Sequence, residues 1–557
     1  MWLLFVLGCG LALAATARAD EAASARLRGW LTAGVELPAS LKGLSSRSSW
    51  GRLYAARDYR PLWFDQGRPN ERVQQLREAV AGLYAEGIDP PARLADWEAE
   101  LPAGEDGAAP MAAERIAALD LQLTDTLLTV ATLLSSGVTQ PAALDPTWHL
   151  PANRLDLKAL EGVFNGGEAV TAALAKLSPQ TAEYRRLREA LADYRACAAA
   201  GETWVSLPEG PTLRPGDIAP EVAVLRQRLL QGGELAPAAA EIGAQWPELY
   251  DDPLAEAVKA FQARHGLTED AEVGPKTRAA LNASLDQRIA QLRAVLERWR
   301  WMPRPGPGKY LLVNTAGFRL ALYKDGQPDL EMRVIVGVPD KKWATPSFTA
   351  PVQSLVLNPY WNVPRNILYD EVLPDALADP AYLERKRIRL LDETGEEVAL
   401  SPEELRDLAQ GGNFPYRLRQ DAGAGNALGR VKLMLPNQFD IYLHDTNRPW
   451  LFQRSYRAFS HGCIRLEKPL TLAARLLGDD WDEAKLNAAA ATAKNRTLKL
   501  PAPTPAYIVY LTAWVEANGR VQFREDHYRR EGPLLAAFQP APSERVASRI
   551  ADSAPAM

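Results

Sequence analysis

The chain has 557 residues, of which 47% are hydrophobic and 24% charged, with a formal net charge of −5. At roughly 100–200 residues per domain the length implies several domains, and the balanced composition excludes wholesale disorder and a polytopic membrane protein. It contains no basic block and no aromatic-basic interleaving, which argues against nucleic acid as a partner.

The opening "MWLLFVLGCGLALAATARAD" is apolar from Trp2 to Ala15 and ends in the small-x-small pattern Ala17-Arg18-Ala19. It reads as an export signal over residues 1–19, cut before Asp20. Because no Lys or Arg precedes the apolar run, retention as a membrane anchor stays open as a second reading. Cys9 comes too early for a full apolar region to precede it and is read as part of the signal. Beyond the signal only Cys197 and Cys463 remain. One bridge between them is open, but two cysteines make no disulfide framework. Cys197, in "YRACAAA", is expected to be a small buried residue on a helix.

Residues 20–205 read as a mainly helical scaffold, with apolar residues at three- and four-residue spacing in "RVQQLREAVAGLYAEGI" and "RIAALDLQLTDTLLTVATLLSSG". His149, in "PTWHLP", stands alone and is expected to be structural or exposed. The Pro/Gly-rich "LPEGPTLRPGDIAP" at 207–220 marks a linker, and residues 206–285 form a compact unit with three helices. These are "EVAVLRQRLLQGG", "PLAEAVKAFQARHGL" and "GPKTRAALNASL", with Pro275 suited to a first helical turn. His265 is expected to pack.

From 286 to 500 a linking helix gives way to period-two patterns, "YLLVNT", "FRLALYKDGQPDLEMRVIVG", "QSLVLNP" and "VKLML", with a hairpin turn at Asp325-Gly326. Residues 366–413 are charged and helical in pattern. An insertion of that size is either a lid or a passive surface excursion. Residues 501–535 are expected to add a β-hairpin to the sheet, with His527 at its edge facing solvent, and 536–557 to be a flexible tail. The fold class is therefore multidomain α+β.

The segment "QFDIYLHDTNRPWLFQRSYRAFSHGCIRLEKP" gathers His444, His461 and Cys463. Strand alternation in "FDIYLHD" places Phe439, Ile441 and Leu443 on one face, with Tyr442 and His444 together on the other. A cysteine nucleophile needs an adjacent imidazole to take its proton and hold the charge as an ion pair. His444 is the candidate base, and His461, two residues before Cys463, is the other. Gly462 allows a tight bend that aligns the amides of 461–463 toward a carbonyl oxygen. A helix starting near Glu467 would favour negative charge at its approach.

The pattern H-D-T-(x13)-S-H-G-C-I-R, His444 through Arg465, resembles the signature of L,D-transpeptidase catalytic domains, as do "IVGVPDKKWATPSF", "NPYWNVPRNI" and "GNALGRVKLMLPNQFDIYLHDT". "AVKAFQARHGLTEDAEVGPKTRAALN" resembles the three-helix peptidoglycan-binding module. The combination looks like the large Gram-negative periplasmic branch, with a mixed β-sheet or β-sandwich-like catalytic domain under a helical lid. The resemblance implies that Cys463 attacks the L,D amide of a tetrapeptide stem and releases D-alanine, with His444 as base. It further implies an oxyanion hole from His461, Gly462 and Cys463 with Tyr442, and substrate contacts at Arg465, Ser460 and Trp361. An acceptor-stem amine then forms a 3→3 cross-link. No metal or organic cofactor is implied. Implied partners are peptidoglycan stems and glycan, cell-wall synthesis proteins, and carbapenems acylating Cys463. Implied location is the periplasm, with inner-membrane retention if the signal is uncleaved.

Four rivals stand beside this reading. Zinc could use His444, Asp445, His461 and Cys463, but their spacing matches no common zinc pattern. Papain-like hydrolases place Cys before His, the reverse of the order here. An L,D-carboxypeptidase or endopeptidase, using water as acceptor, and a wall-binding scaffold with a vestigial site complete the set.

Overall fold

In the computed structural model, described residues are 19–32, 37, 38, 41, 47–102, 111–243, 245–410, 412, 414–423 and 425–538. The export signal up to residue 18 and the tail from 539 onward lie outside them. The N-terminal scaffold is built around α1 (Ala113–Ser136), whose residues are buried on nearly every side. It is long and apolar enough to cross a membrane, yet it sits inside a protein core with Trp50, Trp63 and Leu76. Its buried Asp120 accepts hydrogen bonds from the amides of Leu62 and Trp63 at 3.0 and 2.9 Å and from the Tyr54 hydroxyl. Burial raises the Asp120 carboxyl to about 6. The region is not purely helical, since β1 (Phe64–Asp65) and β2 (Arg68–Pro69) form a small hairpin. A second scaffold helix, α2 (Ala182–Ala199), carries Cys197 half-exposed rather than buried. Both described cysteines are free thiols.

The next unit comprises α3 (Pro220–Gln231), α4 (Asp252–His265) and α5 (Pro275–Leu281) around Leu225, Val258, Phe261 and Leu281. Asp251 caps α4 through the Leu254 amide, and Gly266 ends it in the left-handed region at φ +66°. His265 is buried, stacks on Phe261 at 3.8 Å and uses Nδ1 on the Phe261 carbonyl.

Helix α6 (Leu285–Trp301), opened by a Ser284/Gln287 capping box, joins all the parts. Its buried Glu297 accepts from the Thr139 amide and hydroxyl, both at 2.8 Å, from Trp301 Nε1 and from Arg300 at 2.8 Å. Arg300 reaches back to the Glu86 carbonyl and the Tyr184 hydroxyl. Arg298 donates to the Arg530 carbonyl and pairs with Glu531 at 3.4 Å. A buried ion pair contributes little net stability while intact, but removing one partner strands a charge.

The catalytic-region sheet contains β3 (Lys309–Asn314), β4 (Arg319–Lys324), β5 (Gln327–Gly337), β6 (Phe348–Leu357), β11 (Val431–Met434), β12 (Leu443–His444), β13 (Ala458–Ser460), β14 (Ile464–Leu466) and β15 (Arg496–Val509). Their order is β13-β5-β14-β12-β11-β6-β15-β3-β4, and β4 pairs back onto β5, which closes the sheet on itself. Alternation sends Val313, Leu320, Val334, Leu433, Leu443, Ile464 and Ile508 to a core shared with Leu472 and Leu476 of α7 (Pro469–Leu477). Helix α7 starts at Pro469 after β14, within two residues of the start expected near Glu467.

Three other expectations change. The segment "AYIVY" is the inner part of β15, between β6 and β3, while β16 (Ala513–Val515) and β17 (Val521–Phe523) form a separate two-stranded sheet against α6 and α2. His527 does not face solvent. It lies among Phe318, Tyr456, Tyr510 and Tyr528, and burial depresses its imidazole to about 4. The insertion is also not wholly helical. The segments β7 (Trp361–Asn362), β8 (Ile388–Leu391), β9 (Glu397–Val398) and β10 (Arg417–Gln420) make a four-stranded sheet, order β7-β10-β8-β9. With helices Leu373–Ala378 and Pro402–Gln410 it encloses its own core of Leu368, Leu373, Leu390, Phe414 and Leu418. The strands are too short, and too interleaved with arginine, for period two to stand out.

Replacing Glu297 by Ala is expected to cost about 3–5 kcal/mol in urea unfolding, because Arg300 would be left buried and unpaired. His265 and His527 have folded values below the ordinary imidazole value, so the unfolded chain takes up their protons first. Their contribution is complete above about pH 6.5 and is lost as pH falls, at a slope approaching about 1.4 kcal/mol per pH unit for each. Asp120, raised when folded, works the opposite way below about 6 and offsets one of them. The melting temperature should therefore fall from pH 7 to pH 5, and fall less in His527→Phe.

Candidate active site

The site rests on one parallel pairing. β12 runs beside β14 with Leu443 opposite Ile464 and His444 opposite Arg465, and the Ile464 amide donates to the Tyr442 carbonyl at 3.1 Å. Leu443 and Ile464 point into the apolar core. Alternation therefore turns Tyr442, His444, Cys463 and Arg465 to the other face, in two adjacent rows. On the far side β11 pairs antiparallel with β12 and sets Lys432 opposite His444. Lysine 432 was not singled out from sequence. Its position in "RVKLML" alternates with the core residues Val431 and Leu433, a signal that marks its face but not its neighbours.

The four-residue turn before β14 is fixed from several sides. Gly462 adopts φ +104°, where a side chain is strained, and its amide donates to Ser460 Oγ at 3.2 Å. Ser460 Oγ in turn donates to the Cys463 carbonyl at 2.5 Å. Thr345 Oγ1 donates to the Gly462 carbonyl at 2.8 Å and accepts from the Gly337 amide at 3.0 Å. Tyr528 closes the ring by donating to the Gly337 carbonyl at 2.6 Å. A Cβ on Gly337 would stand 1.8 Å from the Trp343 carbonyl oxygen, so only glycine fits there. Two expectations are corrected by this geometry. Ser460 is buried and braces the turn from within instead of lining a substrate pocket, and the Gly462 amide is engaged by Ser460 instead of being an oxyanion donor. Gly337, Thr345 and Tyr528 were missed because their role depends on contacts across more than 100 residues.

His444 is 4% exposed. Its Nδ1 is buried without a hydrogen-bond partner, and a neutral ring with its proton on Nε2 would leave the Nδ1 lone pair free to accept one. Burial, then the Arg465 cation, lowers the imidazole to about 3. Burial pushes the Cys463 thiol up, against the opposing pull of the Tyr442 amide, Lys432, the Tyr442 hydroxyl and Arg465. Both shifts work against a thiolate–imidazolium pair at rest and favour the neutral thiol and neutral imidazole. Cys463 Sγ also lies 3.9 Å from the Asp440 carbonyl oxygen.

The insertion covers this face. Glu371 Oε1 is 2.5 Å from His461 Nε2, Asp370 pairs with Lys342, and Trp343 stands edge-on to His461 at 4.6 Å while packing into the insertion's core. The His461 side chain is thereby held by the insertion. Trp361, at the root of that insertion, lies near the Tyr442 hydroxyl and opposes the rise that burial gives it. Asp445 secures the start of β11 by accepting from the Arg430 and Thr446 amides, each at 2.8 Å, with Gly429 pressed against its carboxylate.

Comparison with known proteins finds matches to three families. Residues 308–498 match the model of the L,D-transpeptidase catalytic domain, residues 219–281 that of a "Putative peptidoglycan binding domain", and residues 48–191 that of a scaffold domain. A protein of Haemophilus influenzae named "Putative L,D-transpeptidase" is 37% identical over 219 residues, covering 39% of this chain and 44% of that one. The chain therefore spans less than half the length of this curated relative. Crystal structures of an L,D-transpeptidase from Xylanimonas cellulosilytica and one from Stackebrandtia nassauensis cover 54% and 55% of this chain and 99% and 96% of theirs. Their identities are 15% and 11% and their TM-scores 0.16 and 0.20, too low to carry an argument.

Gly462→Ala is expected to place a side chain at φ +104°, 3.4 Å from the Trp343 carbonyl oxygen, at a cost of about 1–3 kcal/mol. Thermal unfolding should show that loss, and Cys463 labelling should change because the turn that presents the thiol is displaced.

Proposed function

We propose that this chain, whose catalytic domain belongs to the L,D-transpeptidase family, cross-links peptidoglycan through an acyl-enzyme at Cys463. The observation that carries the reading is the pairing of β12 with β14, which sets Tyr442, His444, Cys463 and Arg465 on one face with the unpartnered His444 Nδ1 among them. In the reaction Sγ attacks the amide carbonyl between residues three and four of a tetrapeptide stem as His444 Nδ1 accepts the thiol proton. A neutral pair makes this transfer part of the attack. The oxyanion is held by main-chain amides at His461 and Cys463 with the Tyr442 hydroxyl. Collapse breaks the amide, and protonated His444 returns its proton to the leaving D-alanine amine. An acceptor-stem amine then attacks the thioester, gives a proton to His444, and leaves a 3→3 cross-link with the thiol restored.

Arg465, on the face of the nucleophile, suits a substrate carboxylate. Trp361 shapes the wall beside Tyr442. The peptidoglycan-binding module supplies wall affinity. It is fixed to the catalytic part, since Arg524 donates to the Arg264 carbonyl at 2.9 Å and Thr268 lies 3.2 Å from Ser455. Peptidoglycan as substrate places the working protein in the periplasm or at the cell wall, and a strained lactam of the carbapenem class would acylate the same sulfur. The insertion acts as a lid that admits donor and acceptor in turn and excludes water, favouring aminolysis over hydrolysis.

Mass spectrometry of protein lacking residues 1–19, incubated with disaccharide tetrapeptides, tests the reading. Wild type should yield dimers with a 3→3 linkage, and Cys463→Ala none. His444→Ala should lose about two to four orders of magnitude in rate. Cysteine-dependent tripeptide without dimer would move the assignment to a carboxypeptidase, and absence of product would favour a wall-binding scaffold. Deleting residues 370–412 should raise the ratio of hydrolysis to cross-linking, and an unchanged ratio would remove the lid's proposed role. Because His444 is depressed to about 3, the acidic limb of acylation should lie well below the ordinary imidazole range, and a limb near pH 6.5 would count against His444 as the neutral base.

A further inference from the structure

Lys432 lies on the catalytic face and has no role in the mechanism above. Its Nζ sits 3.8 Å from the centroid of the Tyr442 ring, and its Cα is the cross-strand partner of His444. A lysine placed there is unusual in kind, because carboxylates are the ordinary partners of a half-buried ammonium. Among the described ion pairs none is made by Lys432; the groups near it that can carry negative charge are Cys463 and Asp440, with the Tyr442 ring beneath it. A cation over the face of a phenol draws electron density from the ring and makes the hydroxyl a stronger donor. That hydroxyl is the one directed at Cys463.

We propose that Lys432 is a positioning residue for the nucleophile: its ammonium, seated on the Tyr442 ring, stabilises the anion that forms at Cys463 sulfur when the thiol gives up its proton. The inference rests on Cys463 being the nucleophile and deepens that reading. Lys432 acts on sulfur in two ways, directly as a nearby positive charge and through the Tyr442 hydroxyl. Burial weakens its own hold on a proton, which favours a partner that becomes negative. The remaining groups that act on the sulfur are Tyr442, just before β12, Arg465 of β14 and the Asp440 carbonyl of the preceding loop, with His444 on the same face of β12. Glu371 of the insertion and Arg448 of the following loop act on Arg465. Of these only Lys432 and Arg465 oppose the desolvation of a thiolate with full positive charge, and Arg465 is also the candidate contact for the substrate carboxylate. Lys432 is then the cation left to the sulfur throughout the cycle.

The test is the pH dependence of iodoacetamide labelling at Cys463 in the full-length chain, read on the Cys463 peptide by mass spectrometry so that other thiols do not interfere. Lys432→Met and Lys432→Gln should raise the labelling midpoint by about one pH unit, slowing labelling about tenfold at pH 8. Lys432→Arg should stay within about twofold of wild type. Tyr442→Phe should also raise the midpoint, and Lys432→Met combined with Tyr442→Phe should raise it by less than the sum, because one path runs through the hydroxyl. An unchanged midpoint in a folded neutral variant overturns the proposal. So does failure of both neutral variants to fold beside a folded Lys432→Arg, which would assign the cation to stability. Labelling needs no stem peptide, so loss of cross-linking in wild type with the Lys432 effect intact would sink the transpeptidase reading alone.

Discussion

The parallel pairing of β12 with β14 is the constraint on which the site depends. A one-residue slip between these strands would turn Cys463 and His444 to opposite faces, because side chains alternate with a period of two. The register is held by the apolar side, where Leu443 and Ile464 are fully buried and have no acceptable position elsewhere. The chemistry is thus fixed by residues that take no part in it. Parallel strands also need a long crossover, and residues 445–463 supply one that ends in the turn presenting the thiol.

Electrostatics on that face follow from placing a nucleophile against a sheet instead of in open solvent. Burial disfavours both thiolate and imidazolium, and the cations Lys432 and Arg465 favour the first while opposing the second. The site rests neutral, with the anion stabilised only as it forms. Such a balance confines strong interactions to the reacting state, which is where they accelerate a reaction.

Around this centre the other parts are held by buried polar contacts rather than by loose linkers. Helix α6 ties the scaffold and the C-terminal segment around Arg530 together through Glu297, Arg298 and Arg300. The helical module stacks His265 against Phe523 of β17 at 5.8 Å. The insertion is likewise a folded body with its own core. Its ion pairs with the catalytic domain, Glu371 with His461 and Asp370 with Lys342, are half-exposed, and contacts of that kind open at small cost compared with an apolar interface.

The sequence by itself determined the candidate site: the spacing from His444 to Cys463, the glycine before the thiol and the alternation in "FDIYLHD" were legible because they are local, set by strand period and by backbone freedom at one residue. The helical character of α4 and α6 was legible for the same reason. Only the tertiary structure decided which atoms of the turn are engaged, that Ser460 braces it from within, and that Gly337, Thr345 and Tyr528 secure it. It alone decided that His527 is enclosed by aromatic rings, that the insertion carries a sheet, and that Lys432 sits on Tyr442. Each of these depends on pairing between segments far apart in the chain, where the partner, and with it the burial and charge that each group meets, is set by register and closure of the whole sheet.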